Sequence, residues 1–279
     1  MAESLLTQAM SPEVLDISWR RLRNEHTPWS ESVTRDQLQQ HFVKHLLECR
    51  EEVLQGRYRP AALRKFPLKK PDGRQRVLSA QYLRDKLVQR AVLTVLEPKA
   101  EALFHEDSFA YRPNRSVALA LNKANERIRC GQDWLVDADI KSFFDQIPQR
   151  PLLKKLKSFV GDSAAMKVID QWIKQGTHHN SLLSTRRGIS QGAILSPLFC
   201  NLYLHGFDLA LSEANIPFVR FADDFLLFAT TREGAVNAQD YAAKELERLG
   251  LKLNAKKTQV VRSNPKVIFL GQALPKPSR

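Results

Sequence analysis

Two apolar runs, Phe218-Val219-Arg220-Phe221 and Phe225-Leu226-Leu227-Phe228, enclose the triplet Ala222-Asp223-Asp224. Runs of this length and aromatic content predict two short strands joined by a tight hairpin. That places two adjacent carboxylates at a turn between segments that otherwise want to be buried. Neighbouring carboxylates repel each other, and each loses water on burial. A bound cation relieves both costs. A hard divalent ion that prefers oxygen ligands, magnesium above all, suits such a pair. Taken alone, an Asp-Asp pair is equally ordinary turn chemistry, since Asp is common in turns.

A third acid sits in a comparable place. Trp134-Leu135-Val136-Asp137-Ala138-Asp139-Ile140 alternates as a strand does and carries Asp139 at its end. Alternation puts Asp137 and Asp139 on one face, so the pattern does not choose between them.

Around these acids the chain reads as helices and short strands. The first 55 residues or so are predicted helical: Leu38, Phe42, His45, Leu46 and Cys49 recur near helical spacing, and Gly56 stops the run. A basic segment follows, with Arg57, Arg59, Arg64, Lys65, Lys69, Lys70, Arg74 and Arg76 around the turn residues Pro71-Asp72-Gly73. It predicts a β-hairpin with cationic arms. Helices are expected over Tyr82–Leu103 and up to about Cys130, and a short one over Pro151–Val160. Another starts at Ser196-Pro197, with Ser as cap and Pro at the first helical position. Ala235 to Leu249 marks a further helix, ended by Gly250, and two last strands lie near Thr258–Val261 and Val267–Leu270. The pattern of the second half suits an α+β sheet covered by helices on one face.

Composition bounds the partners. Lys and Arg number 43 against 30 Asp and Glu, a net charge of +13, which favours polyanions and nucleic acid first among them. No apolar run approaches the roughly 20 residues of a spanning helix, and no export signal is read at the start; a cytoplasmic setting is expected. Cys49, Cys130 and Cys200 are far apart and are read as free thiols. No zinc spacing is present, and His178-His179 is read as a polar loop.

The motifs taken in order carry a resemblance. Phe221-Ala222-Asp223-Asp224 resembles the [Tyr/Phe]-x-Asp-Asp signature of reverse transcriptases, and Asp139-Ile140-Lys141-Ser142-Phe143-Phe144-Asp145 resembles their first catalytic strand. Gly188 to Pro197 is similar to their P-Q-G-x-x-x-S-P segment. Phe109 to Ser116 resembles the G-F-R-P-G-R-S segment of the group II intron branch. Lys70 to Arg76 is similar to that branch's fingers hairpin, and Leu249–Asn254, Lys257-Thr258 and Phe269-Leu270-Gly271 resemble its late palm motifs. The likeness covers about residues 50 to 271.

The resemblance implies a right-hand polymerase with fingers and palm, the palm an antiparallel sheet with helices on one face, and no thumb apparent. It implies a helical extension at 1–55, fingers at 56–132, a palm at 133–271 with some fingers elements at about 150–195, and a tail or linker at 272–279. Asp139, Asp223 and Asp224 would hold two Mg2+ ions, with Mn2+ as a substitute and the Ile140 carbonyl as an extra ligand. Lys70 and Arg76 would hold the incoming triphosphate, Gln191 would line the nucleotide pocket, and Lys257 would position or protonate pyrophosphate. Arg112 and Arg115 would touch template phosphates. The partners implied are an RNA template, a DNA or RNA primer and dNTPs, with no membrane. A short palm without a thumb also resembles CRISPR-associated reverse transcriptases, which implies an integrase complex and spacer acquisition from RNA. The missing thumb implies weak, distributive synthesis unless a partner or a further segment supplies the clamp. Ser190 stands where the branch usually has proline, and Phe221 where tyrosine is commoner. A non-catalytic RNA-binding splicing helper and a template-independent nucleotidyltransferase remain as alternatives.

Phe144 lies five residues after Asp139, at the family's steric gate beneath the sugar, while one of Phe143 and Phe144 is expected in the core. Phe144→Ala is therefore expected to improve use of ribonucleotides. The ratio of kcat/KM for ribo- over deoxynucleotides measures this, and an unchanged ratio would refute the gate.

Overall fold

The structure, a computed structural model, describes residues 3–69, 75–175 and 186–277. Two compact units divide the chain, each discontinuous in sequence: Met1–Ala102 with Gln149–Phe199, and Leu103–Pro148 with Cys200–Arg279.

The first unit opens with the expected helices, α1 (Leu5–Ala9), α2 (Pro12–Arg20), α3 (Arg35–Gln40) and α4 (Phe42–Leu54). Ser4, Ser11 and Thr34 cap the first three with their hydroxyls, which satisfies amides that a helix start leaves without partners. Gly56, at φ 69°, turns the chain after α4. The basic hairpin follows as β1 (Arg64–Lys69) and β2 (Gln75–Ala80), antiparallel in a register from Arg64↔Ala80 to Lys69↔Gln75. Its turn, with Lys70, lies outside the described residues. Next comes α5 (Leu83–Glu101).

A buried polar network ties down the chain just before this hairpin. The Tyr58 hydroxyl donates to Asp85 at 2.6 Å and accepts from the Trp172 indole at 3.2 Å. The other Asp85 oxygen accepts from the Ala61 amide at 2.9 Å. Gln175 donates to the carbonyls of Pro60 and Ala61 at 3.1 and 2.7 Å.

The chain then builds part of the second unit: α6 (Val117–Arg129), capped by Ser116, β3 (Trp134–Asp139) and α7 (Phe143–Gln146). It returns to the first unit for α8 (Gln149–Val160) and α9 (Ser163–Gln175). The expected short helix is α8, and α9 is an additional element. Its Ala165, Val168, Ile169, Trp172 and Ile173 recur at helical spacing and are buried, and the Asp162 carboxylate accepts from the amides of Ala164 and Ala165 at its start. His178-His179 lies outside the described residues. The last elements are α10 (Ser196–Glu213), β4 (Phe218–Phe221), β5 (Asp224–Ala229), α11 (Arg232–Arg248), β6 (Gln259–Arg262), β7 (Ile268–Phe269) and β8 (Gln272–Ala273).

Four of these strands form an antiparallel sheet in the order β4-β5-β3-β6. Alternation assigns its faces. Phe225 meets Phe207 of α10 edge-on at 5.4 Å, and Ala229 lies against Gly234 of α11, so these helices cover the face of Phe225 and Ala229. On the opposite face, Leu135, Val219, Leu226 and Phe228 pack with Ala120, Leu121, Ala124 and Ile128 of α6 and with Val267, Phe269 and Leu274. This apolar layer fills one end of that face. Asp137, Asp139 and Asp224 share the face at its other end. The folded unit also runs past Gly271, where a tail was expected. Gln272–Ala273 pairs as β8, and Leu274 is buried and donates its amide to the Val267 carbonyl at 3.0 Å. Among the described residues no helix is long and apolar enough to cross a membrane.

Arg220, in the middle of β4, is completely buried. Its Nε and Nη2 donate to the two Asp208 oxygens at 2.6 Å each. Nη2 also donates to the Ser108 hydroxyl at 2.8 Å, and Nη1 donates to the Asn201 side chain at 3.1 Å and the Ala222 carbonyl at 3.0 Å. All five donors of the guanidinium are used, which is the condition under which a buried charge is tolerated. Its backbone pairs as well: Arg220 donates to the Asp107 carbonyl and accepts from the Phe109 amide, both at 2.9 Å. Arg220→Met strands Asp208 as a lone buried charge and is expected to lower stability by about 3 to 5 kcal/mol. Asp208→Leu added to it should recover part of that loss. Denaturant unfolding of the single and double variants is the measurement.

Candidate active site

The acidic turn is shaped by backbone pairing. Phe221 stands opposite Asp224 in the β4–β5 ladder, which leaves Ala222 and Asp223 as a two-residue turn. Ala222 takes φ 61°, a conformation that costs a residue with a Cβ about 1 to 2 kcal/mol. The hydrogen bond from Arg220 to the Ala222 carbonyl holds the turn there.

The neighbouring strand brings in the third acid. Asp139, last residue of β3, stands opposite Asp224 in the β3–β5 register. The Ile140 amide donates to the Asp223 carbonyl at 3.1 Å, extending that pairing by one step. On its other side the chain after β3 pairs with the 252–254 segment: Lys141 donates to the Lys252 carbonyl at 2.9 Å and Asn254 to the Asp139 carbonyl at 2.8 Å. Asp139 and Asp137 do share a face, but Asp139 is the one set against Asp224. Asp137 lies one alternation further along and accepts from Gln259 at 3.0 Å.

The Asp139 carboxylate is held at both oxygens, by the Asn254 side-chain amide at 2.8 Å and by the Lys257 ammonium at 2.6 Å. Lys257 is mostly exposed apart from this contact, and the bond to Asp139 raises its pKa. Asp224 is pushed up to about 6 by loss of water first, then by the negative charges of Asp223 and Asp139. Burial likewise raises Asp137, with Asp139 adding to it. Asp137, Asp139 and Asp224, with Lys256, Lys257, Thr258 and Gln259, line a cavity of about 340 Å³.

The donors match a hard divalent cation in kind, and the crowding felt by Asp224 is what such a cation would relieve. The carboxylates are not gathered about one point: among the described residues no three His, Cys, Asp or Glu side chains form a ready cage. A cation at Asp139 therefore has to share or displace the Lys257 ammonium.

The remaining expected residues fall in different places. Phe143 is buried, while Phe144 is half-buried, with its ring edge-on to Phe143 at 5.8 Å. Of the two rings, Phe143 is the one in the core. Arg112, expected at template phosphates, is turned into the protein: it is 8% exposed, donates to the carbonyls of His105 and Ser108 at 2.6 Å each, and stacks over Phe104. Arg115 is half-buried over the Phe109 ring. Gln191 belongs to the first unit, half-buried beside Gly192 at φ 100° just ahead of α10. Arg76 occupies a strand position opposite Leu68 in the basic hairpin, and Lys70 lies outside the described residues.

Two supporting groups carry no strong signal of their own in the sequence. Asn254 is one residue of a motif there, yet in the fold it grips Asp139 through both backbone and side chain. Arg220 and Asp208 had a visible signal, a lone charge inside an apolar strand and another inside an apolar helix.

Comparison with known proteins gives a consistent picture. Residues 68–274 match the family model described as reverse transcriptase (RNA-dependent DNA polymerase). Protein YkfC of Escherichia coli (strain K12) is 30% identical, over 90% of this chain and 77% of that protein. The group II intron-encoded protein LtrA of Lactococcus lactis subsp. cremoris is 29% identical over 76% of this chain, which spans 35% of LtrA. Among solved structures, a partial Cas6-RT-Cas1–Cas2 complex superposes with a TM-score of 0.52 at 22% identity, over 88% of this chain and 42% of that one. Telomerase from Candida albicans superposes with a TM-score of 0.56 at 18% identity, over 86% of this chain and 50% of that one.

The crowding of the acids has a signature in stability. The pKa of Asp224 in the folded protein lies above the ordinary carboxylate value of about 3.9. Its ionised form therefore destabilises the fold fully above pH about 6 and not below about 4. In metal-free protein, Asp224→Asn is expected to raise the melting temperature at pH about 8, and the gain should fade as pH drops through about 6. Thermal melts in chelator across this range decide it; a loss at the alkaline end would show that the repulsion is absent.

Proposed function

Because the chain belongs to the reverse transcriptase (RNA-dependent DNA polymerase) family, we propose that it is an RNA-directed DNA polymerase of the group II intron-like branch, adding dNTPs to a primer 3′-end at Asp139, Asp223 and Asp224. The observation that carries this reading is the register of the two central strands, which sets Asp139 against Asp224 with Asp223 in the adjoining turn.

The roles follow from the chemistry of each group. The three aspartates are proposed to hold the divalent cations, with the Ile140 carbonyl beside them. Mg2+, or Mn2+ in its stead, supplies activation of the attacking hydroxyl and neutralisation of the departing pyrophosphate when bound there. Asn254 keeps one Asp139 oxygen oriented. Lys257, held cationic by its contact with Asp139, is suited to receive the negative charge of pyrophosphate, and to give it a proton it has first to be released from Asp139. Lys70 and Arg76 of the basic hairpin are assigned to the triphosphate, where fixed cations offset charge that grows during phosphoryl transfer. Gln191 is assigned to the nucleotide sugar or phosphate, Phe144 to exclusion of the 2′-hydroxyl, and Arg115 to the template backbone. Cys49 and Cys200 are buried free thiols and Cys130 an exposed one, and a cytoplasmic setting is part of the same proposal.

The chain spans about a third of LtrA, and the activities of such longer relatives reach this chain only as part of the proposal. The expected CRISPR role has the support of a shared fold alone, and a fold does not specify a partner. Copurification with a spacer integrase is its test.

Primer extension on an RNA template with dNTPs and magnesium tests the main reading. The protein is expected to incorporate dNTPs, and Asp223→Asn should reduce incorporation to background while leaving RNA binding in place. No incorporation by the unaltered protein, with or without an integrase, sinks the polymerase. Incorporation without a template favours a terminal transferase, and activity unchanged by Asp223→Asn sinks the site assignment.

A further inference from the structure

The helix α8, in the first unit, carries Arg150, Lys154, Lys155 and Lys157 and not one acid. Arg150, Lys154 and Lys157 recur at i, i+4 and i+7, so they line one face of the helix over about 10 Å. All three are exposed. Another exposed cation, Arg186, lies beside the helix start, where its carbonyl accepts from the Gln149 amide at 3.1 Å. Among the described residues none of these cations has an acidic partner or a hydrogen bond from its side chain. The acids on nearby turns are committed: Asp162 accepts the amides of Leu5, Ala164 and Ala165, and Asp170 pairs with Lys174.

The opposite face of α8 is spent on the fold. Leu152, Leu156, Phe159 and Val160 are buried, the helix packs on α9, and Lys99 caps its end by donating to the Phe159 carbonyl over the Phe159 ring. Aligned, uncompensated cations on a rigid helix repel one another, and the cost is recovered when a polyanion lies across them. An anionic membrane would also attract such a ridge. A helix that binds membranes does so by sinking its apolar face, however, and here that face is buried.

We propose that the α8 ridge of the first unit, Arg150, Lys154 and Lys157, is a binding surface for the phosphodiester backbone of a nucleic-acid strand. The inference rests on the reading of the chain as a nucleic-acid enzyme, and it adds residues of the first unit to those assigned to the strand. Contacts of this kind position a strand without reading its sequence.

The test is a variant carrying Arg150→Gln, Lys154→Gln and Lys157→Gln, which alters exposed side chains only. Circular dichroism and melting temperature verify its fold. Binding to labelled single-stranded RNA, to single-stranded DNA of the same sequence and to an RNA–DNA duplex is followed by fluorescence anisotropy across a salt series. Affinity for at least one of them is expected to fall by about tenfold or more, and the slope of log affinity against log salt by about 2 for a single strand. Whichever nucleic acid responds identifies the strand. A control variant with Lys44→Gln, Lys123→Gln and Lys244→Gln removes the same charge elsewhere and should change binding less. Unchanged affinity and slope, an equal loss in the control, or a loss seen only with phosphatidylserine vesicles overturns the proposal. Unaltered protein that binds through the ridge but does not extend a primer overturns the polymerase reading and leaves the ridge standing.

Discussion

The buried guanidinium of Arg220 is the interaction on which the second unit is organised. One side chain joins the strand before the acidic turn to Asp208 and Asn201 of α10, to Ser108 and to the turn carbonyl itself. The Asn201 side chain in turn donates to the Ala110 carbonyl at 2.8 Å, so the loop bearing the 109–116 motif is fastened to the same helix. A buried ion pair adds little net stability over an apolar substitute. Its geometry is demanding, though, because every donor has one acceptor in one direction. The network therefore specifies position more than it stabilises, and what it positions is a strained turn that carries Asp223 between Ala222 and Asp224.

The site built on that turn is a balance of unfavourable charges. Asp224 faces two other carboxylates and holds its proton more tightly than an isolated aspartate does. Lys257 offsets part of the excess by seizing one oxygen of Asp139, and Asn254 takes the other. The ammonium thus supplies some of the positive charge that the acids demand. An arrangement with unmet demand for cations suits a divalent ion better than a fully neutralised one would, and it explains why the acids tolerate being set side by side at the end of an otherwise apolar sheet face.

Much of this was legible from residues alone, and the exceptions have physical causes. The hairpin around Ala222-Asp223-Asp224, the strand ending in Asp139, the basic hairpin and the break at Gly56 are local patterns, and local patterns survive into the fold. The helix α9 was legible too, in the spacing of Val168, Ile169, Trp172 and Ile173, but it lies next to a segment with no motif to draw attention to it. Leu274 is different: a leucine just before Pro275-Lys276-Pro277 reads as tail, and only its packing with core residues such as Leu135 and Phe228 gives it a place. Arg112 shows the reverse. A motif arginine suggests a phosphate contact, while its burial over Phe104 and its bonds to two carbonyls make it a brace for its own loop.

By itself the sequence determined where the strands that carry the acids lie, which face of them the acids share, and which residues share a motif order with a polymerase family. Those properties depend on the period of side chains along a strand and on the near neighbours of each residue. The tertiary structure alone decided that Asp139 stands opposite Asp224. Alternation limits the pairing of β3 and β5 only to a parity: a slip of one residue would turn every core side chain outward, but a slip of two would keep the faces and separate the acids. That choice is made by contacts far apart in sequence, among them Leu135 packed with Leu226 and Phe228 under α6, and the turn held by Arg220. The hold of Lys257 and Asn254 on Asp139 follows from the same long-range assembly.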